Sequence, residues 1–397
     1  MPIPKNILIF EPDASGHHSG YLYHLISNFL QNDYSYKLIV LVSPDFFEKH
    51  ALILQKTLSP SVEWVKISQT EFAEWQKPKS VFKRSTFEWE LFCCYAKEFN
   101  AILGFFMYID YLQLAILSQN APPCPISGIL FRPTLVNYTA FSLKEKLNYW
   151  RKNITLKYFV KNKNVASLFS LDPFARDFIE ENWHTDKVKH LPDPVQVYPS
   201  TQSEFQMKKT LGIEENRKVF LIFGYLDSRK GILEVMETIG NISREKSQKG
   251  CLLIVGLWEE NERRLFDNLL PKIQQLSDFQ IIIKNTYIKE EDIQEYFKVA
   301  DYALALYNKH FGMSGIMVWA AAAQKPLITY NFGLMGKIVS ENELGITINN
   351  DLKEKFEMLL ENENFIGNIQ KMKAFAELNQ AENYAKVILE YFESVSS

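Results

Sequence analysis

Signals of several protein classes are missing from this sequence. Its 397 residues include four cysteines, Cys93, Cys94, Cys124 and Cys251, and none stands in a C-x-x-C or metal-ligand spacing. Cys93 and Cys94 are adjacent and make poor disulfide partners, so reduced thiols in a cytoplasmic protein are expected. No apolar run reaches the roughly 18–20 residues needed to span a bilayer. The opening MPIPKNILIFEPDASG has a short apolar run that ends in acidic and turn residues, which reads as a first strand rather than a signal peptide. The net charge is −3. There is no global cation excess for a polyanion, no nucleic-acid partner is expected, and any basic surface must be local. Neither a short-period repeat nor a low-complexity tract is present. The G-x-G-x-x-G and G-x-x-x-x-G-K-[ST] phosphate signatures are also absent.

What is there is a globular composition, 47% hydrophobic and 23% charged, in a length suited to two or three domains. Stretches of strand length, some of them continuous apolar runs such as NILIF at 6–10, recur between helical stretches. In the first half they lie at 6–10, 37–42, 62–67, 101–108, 126–131, 165–169 and 188–191. Helices are expected at 21–30, 44–55, 80–99, 111–119 and 173–181. The stiff segment Leu191-Pro192-Asp193-Pro194 marks a boundary, and the alternation then restarts. Strands are expected at 218–223, 251–255, 280–284, 303–306, 327–330 and 345–348, with helices at 232–242, 259–276, 292–300 and 316–324. Strands apolar on both faces and alternating with helices predict parallel sheets in an α/β chain. We expect two Rossmann-like domains, 1–192 and 193–375, with a cleft between them. A last helix within 376–397, apolar at Tyr384, Val387, Ile388, Tyr391 and Phe392, would pack back on the first domain.

In such sheets ligands sit beyond the carboxyl ends of the strands, so the loops there carry the candidate site. The loop Gly224-Tyr-Leu-Asp-Ser-Arg-Lys-Gly231 places Arg229 and Lys230 at the mouth of the sheet, where a fork and a point charge can hold phosphate oxygens. Two solvated cations in a turn is the plainer reading. The loop 308–315 delivers Ser314, Gly315 and Ile316 to a helix start, whose free amides suit phosphate, although a serine cap on an ordinary turn has the same appearance. Gly256 and Tyr287 end two further strands and can shape a nucleobase pocket, or simply terminate them. In Gly16-His17-His18-Ser19-Gly20, Gly16 permits a tight turn that can receive a phosphate or sugar hydroxyl. His17 and His18 can hydrogen-bond substrate. They lack a third ligand for a metal. Asp110 and Arg132 follow two other strands and can meet an acceptor. The stretch 139–165 interleaves lysine and arginine with aromatics, a pattern that can touch an anionic membrane peripherally or be a solvated face over core.

FGYLDSRKG (223–231), LLIVG (252–256), the stretch 285–307 and SGIMVWAAAAQKPLITYNFG (314–333) together resemble the nucleotide-sugar domain of GT-B glycosyltransferases of the glycosyltransferase-4, or glycosyl transferases group 1, kind. GHHSGYLYHL (16–25) and LPDP (191–194) carry a weaker likeness in the first half. The resemblance implies retaining, metal-independent transfer of a sugar from a nucleoside-diphosphate sugar, with no further cofactor, to an acceptor that the sequence does not name. It implies that Lys230 binds the diphosphate, with Arg229 standing in for the family arginine whose place Tyr225 holds. It also implies that Ser314 and Gly315 cradle phosphate. The family's paired glutamates are replaced by Phe311 and Trp319, and its first-domain histidine falls near Tyr108 and Asp110. Asp110 or His17 is the candidate to orient or deprotonate the acceptor hydroxyl. A catalytically silent partner subunit, and a sugar-nucleotide epimerase of the same fold, are the alternatives.

Overall fold

The computed structural model describes residues 5–15, 18–77, 79–133, 135, 143–308, 312–361, 364 and 366–397. Gly16, His17 and Phe311 lie outside the described residues. The chain forms two compact units, Met1–Pro194 with Ala381–Ser397, and Val195–Gln380.

The first unit is built on seven strands: β1 (Lys5–Glu11), β2 (Tyr36–Val42), β3 (Val62–Lys66), β4 (Ala101–Phe106), β5 (Ile126–Leu130), β6 (Val165–Ser170) and β7 (Val188–His190). They pair in parallel in the order β3-β2-β1-β4-β5-β6-β7. The second unit holds β8 (Lys218–Phe223), β9 (Gly250–Val255), β10 (Gln280–Lys284), β11 (Tyr302–Ala305), β12 (Leu327–Tyr330) and β13 (Gly345–Ile348). These too are parallel, in the order β10-β9-β8-β11-β12-β13. Helices flank both sheets, so each unit is Rossmann-like, as the alternation of apolar runs predicts. Residues such as Ile7, Leu8 and Ile9 on β1 and Val219, Phe220 and Leu221 on β8 are fully buried. Strands covered on both faces need that continuous apolar character.

In each sheet the strand order reverses direction once, between β1 and β4 in the first unit and between β8 and β11 in the second. Loops leaving adjacent strands at such a point diverge to opposite faces and open a crevice. That feature of the topology decides where a ligand can sit.

Several elements differ from the periodicity. The helix expected over 44–55 is two short helices, Pro44–Lys49 and Ala51–Lys56, because His50 leaves helical geometry (φ −124°, ψ 35°) and its Nε2 lies 2.9 Å from Ala14 O. The tail expected as one helix over 376–395 is Ile369–Leu378 followed by Ala381–Ser396. The break falls at Asn379, whose carbonyl accepts from Val195 N at 3.3 Å instead of continuing the helix. Ala381–Ser396 packs on the helix His18–Phe29 and buries Tyr384, Ile388 and Phe392 completely. Each such side chain is worth about 1.5–3 kcal/mol of transfer free energy.

Candidate functional site

In the second unit the crevice loops follow β8 and β11. Gly224 and Gly256 end β8 and β9, and their backbones touch. Gly256 has φ +142°, and a Cβ on it would lie 1.7 Å from Gly224 O, so only glycine fits there. The chain then makes a bridge at Leu226 with Trp258 and a short 3₁₀ turn, Ser228–Lys230, capped by Asp227. Gly231 closes the turn at φ +67°, with its Cα so near Leu306 that a Cβ would meet Leu306 O at 2.6 Å. That contact locks the turn against the end of β11.

The turn aims Lys230 inward. Its Nζ donates to Phe223 O at 2.8 Å and to Tyr307 Oη at 2.5 Å. Ser314 Oγ donates to the same Tyr307 hydroxyl at 3.4 Å. Ser314 is the N-cap of the helix Gly315–Ala322 but makes no side-chain cap. Its hydroxyl is turned to Tyr307, and the first amides of the helix, at Gly315 and Ile316, have no intrahelical acceptor. Lys230, Tyr307 and Ser314 therefore form one chain at the mouth of the sheet. A cation and a helix start side by side are suited to an anion. Arg229 is directed elsewhere: it is half exposed and paired with Asp227 at 2.7 Å. Tyr287 is 71% exposed and follows the edge strand β10, with β9 standing between it and β8.

Trp319 lies one turn into the same helix. Its ring packs between Phe223 and Phe297, with centroids 6.0 and 6.1 Å away, and its Nε1 is buried without an acceptor. Trp319 is half-buried, and the edge of its ring would lie 3.6 Å from a Cβ on Gly315 at the helix start. On the β12 and β13 side an open polar depression of about 550 Å³ is lined by Glu234, Asn308, Tyr330, Asn349 and Lys353 among others. Tyr330 is bonded there to Glu234.

In the first unit a cavity of about 320 Å³ opens between the loops after β1 and β4. Glu11, at the end of β1, is 3% exposed. Its Oε2 is 2.7 Å from His18 Nδ1, and its Oε1 accepts from Asp13 N at 3.0 Å. Burial pushes the Glu11 carboxyl up, against the opposing pull of His18 and the Asp13 amide. Burial alone would lower the His18 imidazole, but the hydrogen bond and charge of Glu11, aided by Asp13, raise it above its ordinary value. Tyr108, Tyr111, Trp75 and Arg84 form the other walls. Behind them Glu88, wholly buried, accepts from Trp75 Nε1 at 2.7 Å, from Arg84 Nε at 3.3 Å and from the Tyr111 hydroxyl. Arg84 also lies over the Trp75 ring at 4.1 Å. Titratable groups and aromatic walls in one cavity are the chemistry of a small polar ligand site.

Asp110 and Arg132 do not line that cavity. The Asp110 carboxylate accepts from Phe131 N at 2.9 Å and Arg132 N at 2.8 Å, bracing the turn after β5. Burial raises it to about 6 despite those bonds. The structure thus groups Gly224, Lys230, Gly231 and Ser314 in one unit and places His18 in a cavity of the other. Sequence reasoning missed Tyr307, which no motif marks. It also missed Glu11, Arg84 and Glu88. A signal for Glu88 existed, since it falls on the buried face of the helix Val81–Glu98 with Ser85, Phe92 and Tyr95. Among the described residues, no group of three or more His, Cys, Asp or Glu can hold a metal ion.

Residues 203–381 match the family described as glycosyl transferases group 1. No curated protein matches the chain. Among solved structures, the chain is similar over nearly its whole length to a glycosyltransferase from Rickettsia africae (15% identity, TM-score 0.64, covering 99% of this chain and 98% of that one). It is also similar to Anabaena HepE in complex with UDP (13%, 0.66, 99% and 100%). A third likeness is to the N-terminal domain of Candida albicans trehalose-6-phosphate phosphatase (14%, 0.66, 100% and 97%). At these identities the likeness is one of fold, and the two Rossmann-like units are those of the GT-B fold.

Proposed function

We propose that this protein transfers a glycosyl unit from a nucleoside-diphosphate sugar to an acceptor hydroxyl, without an essential metal and with retention at the anomeric carbon. The observation that carries the reading is the Lys230–Tyr307–Ser314 chain beside the start of the helix Gly315–Ala322. The departing nucleoside diphosphate gains negative charge, and Lys230 with the amides of Gly315 and Ile316 is the arrangement to hold it. A preorganised donor of this kind is worth about 3–4 kcal/mol in the transition state. Gly224, Gly231 and Gly256 give the backbone its close approach, and Tyr287 belongs to the same donor region in this reading. Arg229 serves through its charge, held by Asp227 until a ligand competes for it.

The cavity holding His18 is assigned to the acceptor. The Glu11–His18 pair is placed to orient a hydroxyl and share its proton. Asp110 and Arg132 act through the turn they brace, while Gly16 for the donor and His17 for catalysis stay proposals at positions outside the described residues. The family match over 203–381 and the UDP held by a structural relative support the donor class. In this reading the protein is cytoplasmic, with a peripheral membrane contact through 139–165, of which 139–142 lie outside the described residues. Isothermal titration with UDP, GDP and ADP, followed by a panel of nucleotide sugars scored for hydrolysis and transfer, tests the reading. Micromolar binding of one nucleotide, lost in Lys230→Ala, is expected.

One observation favours a second reading. Trp319, half-buried between Phe223 and Phe297, occupies the place where the resemblance puts a ribose-binding glutamate. A catalytically silent partner subunit would bind none of the three nucleotides. An epimerase would convert the sugar nucleotide with no acceptor present.

A further inference from the structure

The helix Leu143–Val160 of the first unit has two opposite faces. On one, Leu156, Phe159 and Val160 are buried in the core, and Tyr149 is tied to Leu135 O. On the other, apolar residues recur at helical spacing: Leu143, Leu147, Trp150, Ile154 and Tyr158. At 100° per residue they fall within an arc of about 80°. Ile154 is half-buried. The other four are 87, 64, 62 and 67% exposed, which is unusual for large apolar side chains in one row.

Charge surrounds this row. Lys146 and Lys157 lie along one flank and Arg151 along the other, and Lys161 extends the line past the helix end; all four are exposed. Residues 143–163 carry seven lysines and arginines against one glutamate, a net +6 in a chain whose total is −3. The cations are therefore concentrated here rather than scattered.

We propose that this face docks on an anionic lipid bilayer, with the stripe entering the headgroup boundary and the flanking cations held by lipid charge. The proposal rests on the localisation part of the functional reading and is independent of sugar transfer. Three observations choose a bilayer over other occupants. The row is a convex ridge with cations on both sides, which matches a flat anionic surface. Trp150 and Tyr158 are the side chains that settle at a membrane interface. A second copy of this face would bring Lys146, Arg151, Lys157 and Lys161 against the same four cations. Among the described residues no helix is long and apolar enough to cross a membrane, so the contact is with the surface. Neither signal alone gives firm attachment, and a short apolar stripe joined to a basic cluster supplies the two that are needed.

The test is co-sedimentation of the full chain with vesicles of phosphatidylcholine alone and of phosphatidylcholine mixed with phosphatidylglycerol. Binding to the mixed vesicles only is expected, weakened at least tenfold as salt rises towards about 1 M, where the screening length falls to about 3 Å. Leu147→Glu with Trp150→Glu should abolish it while nucleotide binding and melting temperature stay unchanged. Should that variant misfold, Lys146→Glu, Arg151→Glu and Lys157→Glu together, all at exposed positions, carry the same expectation. Equal binding to neutral vesicles, or undiminished binding by the folded variants, overturns the proposal. So does a self-associated state that dissociates in the Trp150 variant without any vesicle binding. Nucleotide titration of the same samples reports separately on the sugar-transfer reading.

Discussion

Lys230 Nζ lies 2.5 Å from the Tyr307 hydroxyl and 4.3 Å from the centre of its ring. The contact joins the turn after β8 to the end of β11, the two strands between which the sheet order reverses. A flexible lysine is thereby held at one spot beside Ser314, so less side-chain freedom is left to lose when an anion binds.

Lys230→Ala should lower turnover by ~10²-fold or more, with a comparable loss of nucleoside-diphosphate affinity. Tyr307→Phe keeps the ring and removes only the hydroxyl, so its effect should be several-fold smaller. Both variants should keep the parent melting temperature within a few degrees. Steady-state kinetics, calorimetry and thermal unfolding distinguish a binding role from a structural one.

The glycine at the end of β9 offers a sharp contrast in stability. Gly256→Ala would place a Cβ 1.7 Å from Gly224 O at φ +142°. It should destabilise the second unit by at least about 3 kcal/mol, since strain and displacement add. Gly20, in the helix His18–Phe29, has nothing within 4 Å of a Cβ, and Gly20→Ala should stabilise by about 0.5–1 kcal/mol. Urea unfolding curves for both variants check the pair.

The Glu11–His18 contact predicts a dependence on pH. The folded imidazole is raised above its ordinary 6.5. Its contribution is complete below about pH 6.5 and is lost as pH rises through the higher folded value. The advantage of the parent over His18→Gln should therefore shrink as pH rises above about 6.5, as read from urea midpoints in a pH series. An advantage that grows with pH would refute the pairing.

Glu295 predicts the opposite slope. Its carboxylate is 5% exposed and accepts from Ser200 Oγ at 2.6 Å, Thr201 N at 2.6 Å and Gln202 N at 3.1 Å. Burial alone would raise it, but these bonds hold it below the usual range. Its contribution is present above about pH 4.5 and is lost as pH falls through the folded value. Glu295→Gln should cost about 1–3 kcal/mol at neutral pH and flatten the acid limb of the stability curve.

The central strands were legible in the sequence because strands buried on both faces must be written as continuous apolar runs, whereas the edge strands β3 and β7 carry Glu63, Lys66, Lys189 and His190 and were legible through the alternation; all thirteen stretches noted are strands. The loops after β8 and β11 were legible too, through their glycines and Lys230. Less visible were features that depend on contacts distant in sequence. Tyr307 looks like one more residue of an apolar strand end, and only the fold brings its hydroxyl to Lys230. The Glu11, His18 and Arg84 cavity joins three segments whose meeting no local pattern announces. The short helices Gln69–Gln76, Glu204–Leu211 and Gly333–Glu341 escaped because eight or nine residues hold too few turns for a clear period. Asn379 breaks the tail helix through a bond to Val195, which no propensity encodes.

The helix Ala381–Ser396 completes the core of a unit whose other residues were joined almost two hundred positions earlier. Val195–Gln380 is one continuous stretch of chain, whereas the amino-terminal unit leaves Tyr21, Tyr36 and Phe105 without their partners Tyr384 and Phe392 until Ala381–Ser396 has been made. The amino-terminal unit therefore closes only after all of Val195–Gln380 has been translated.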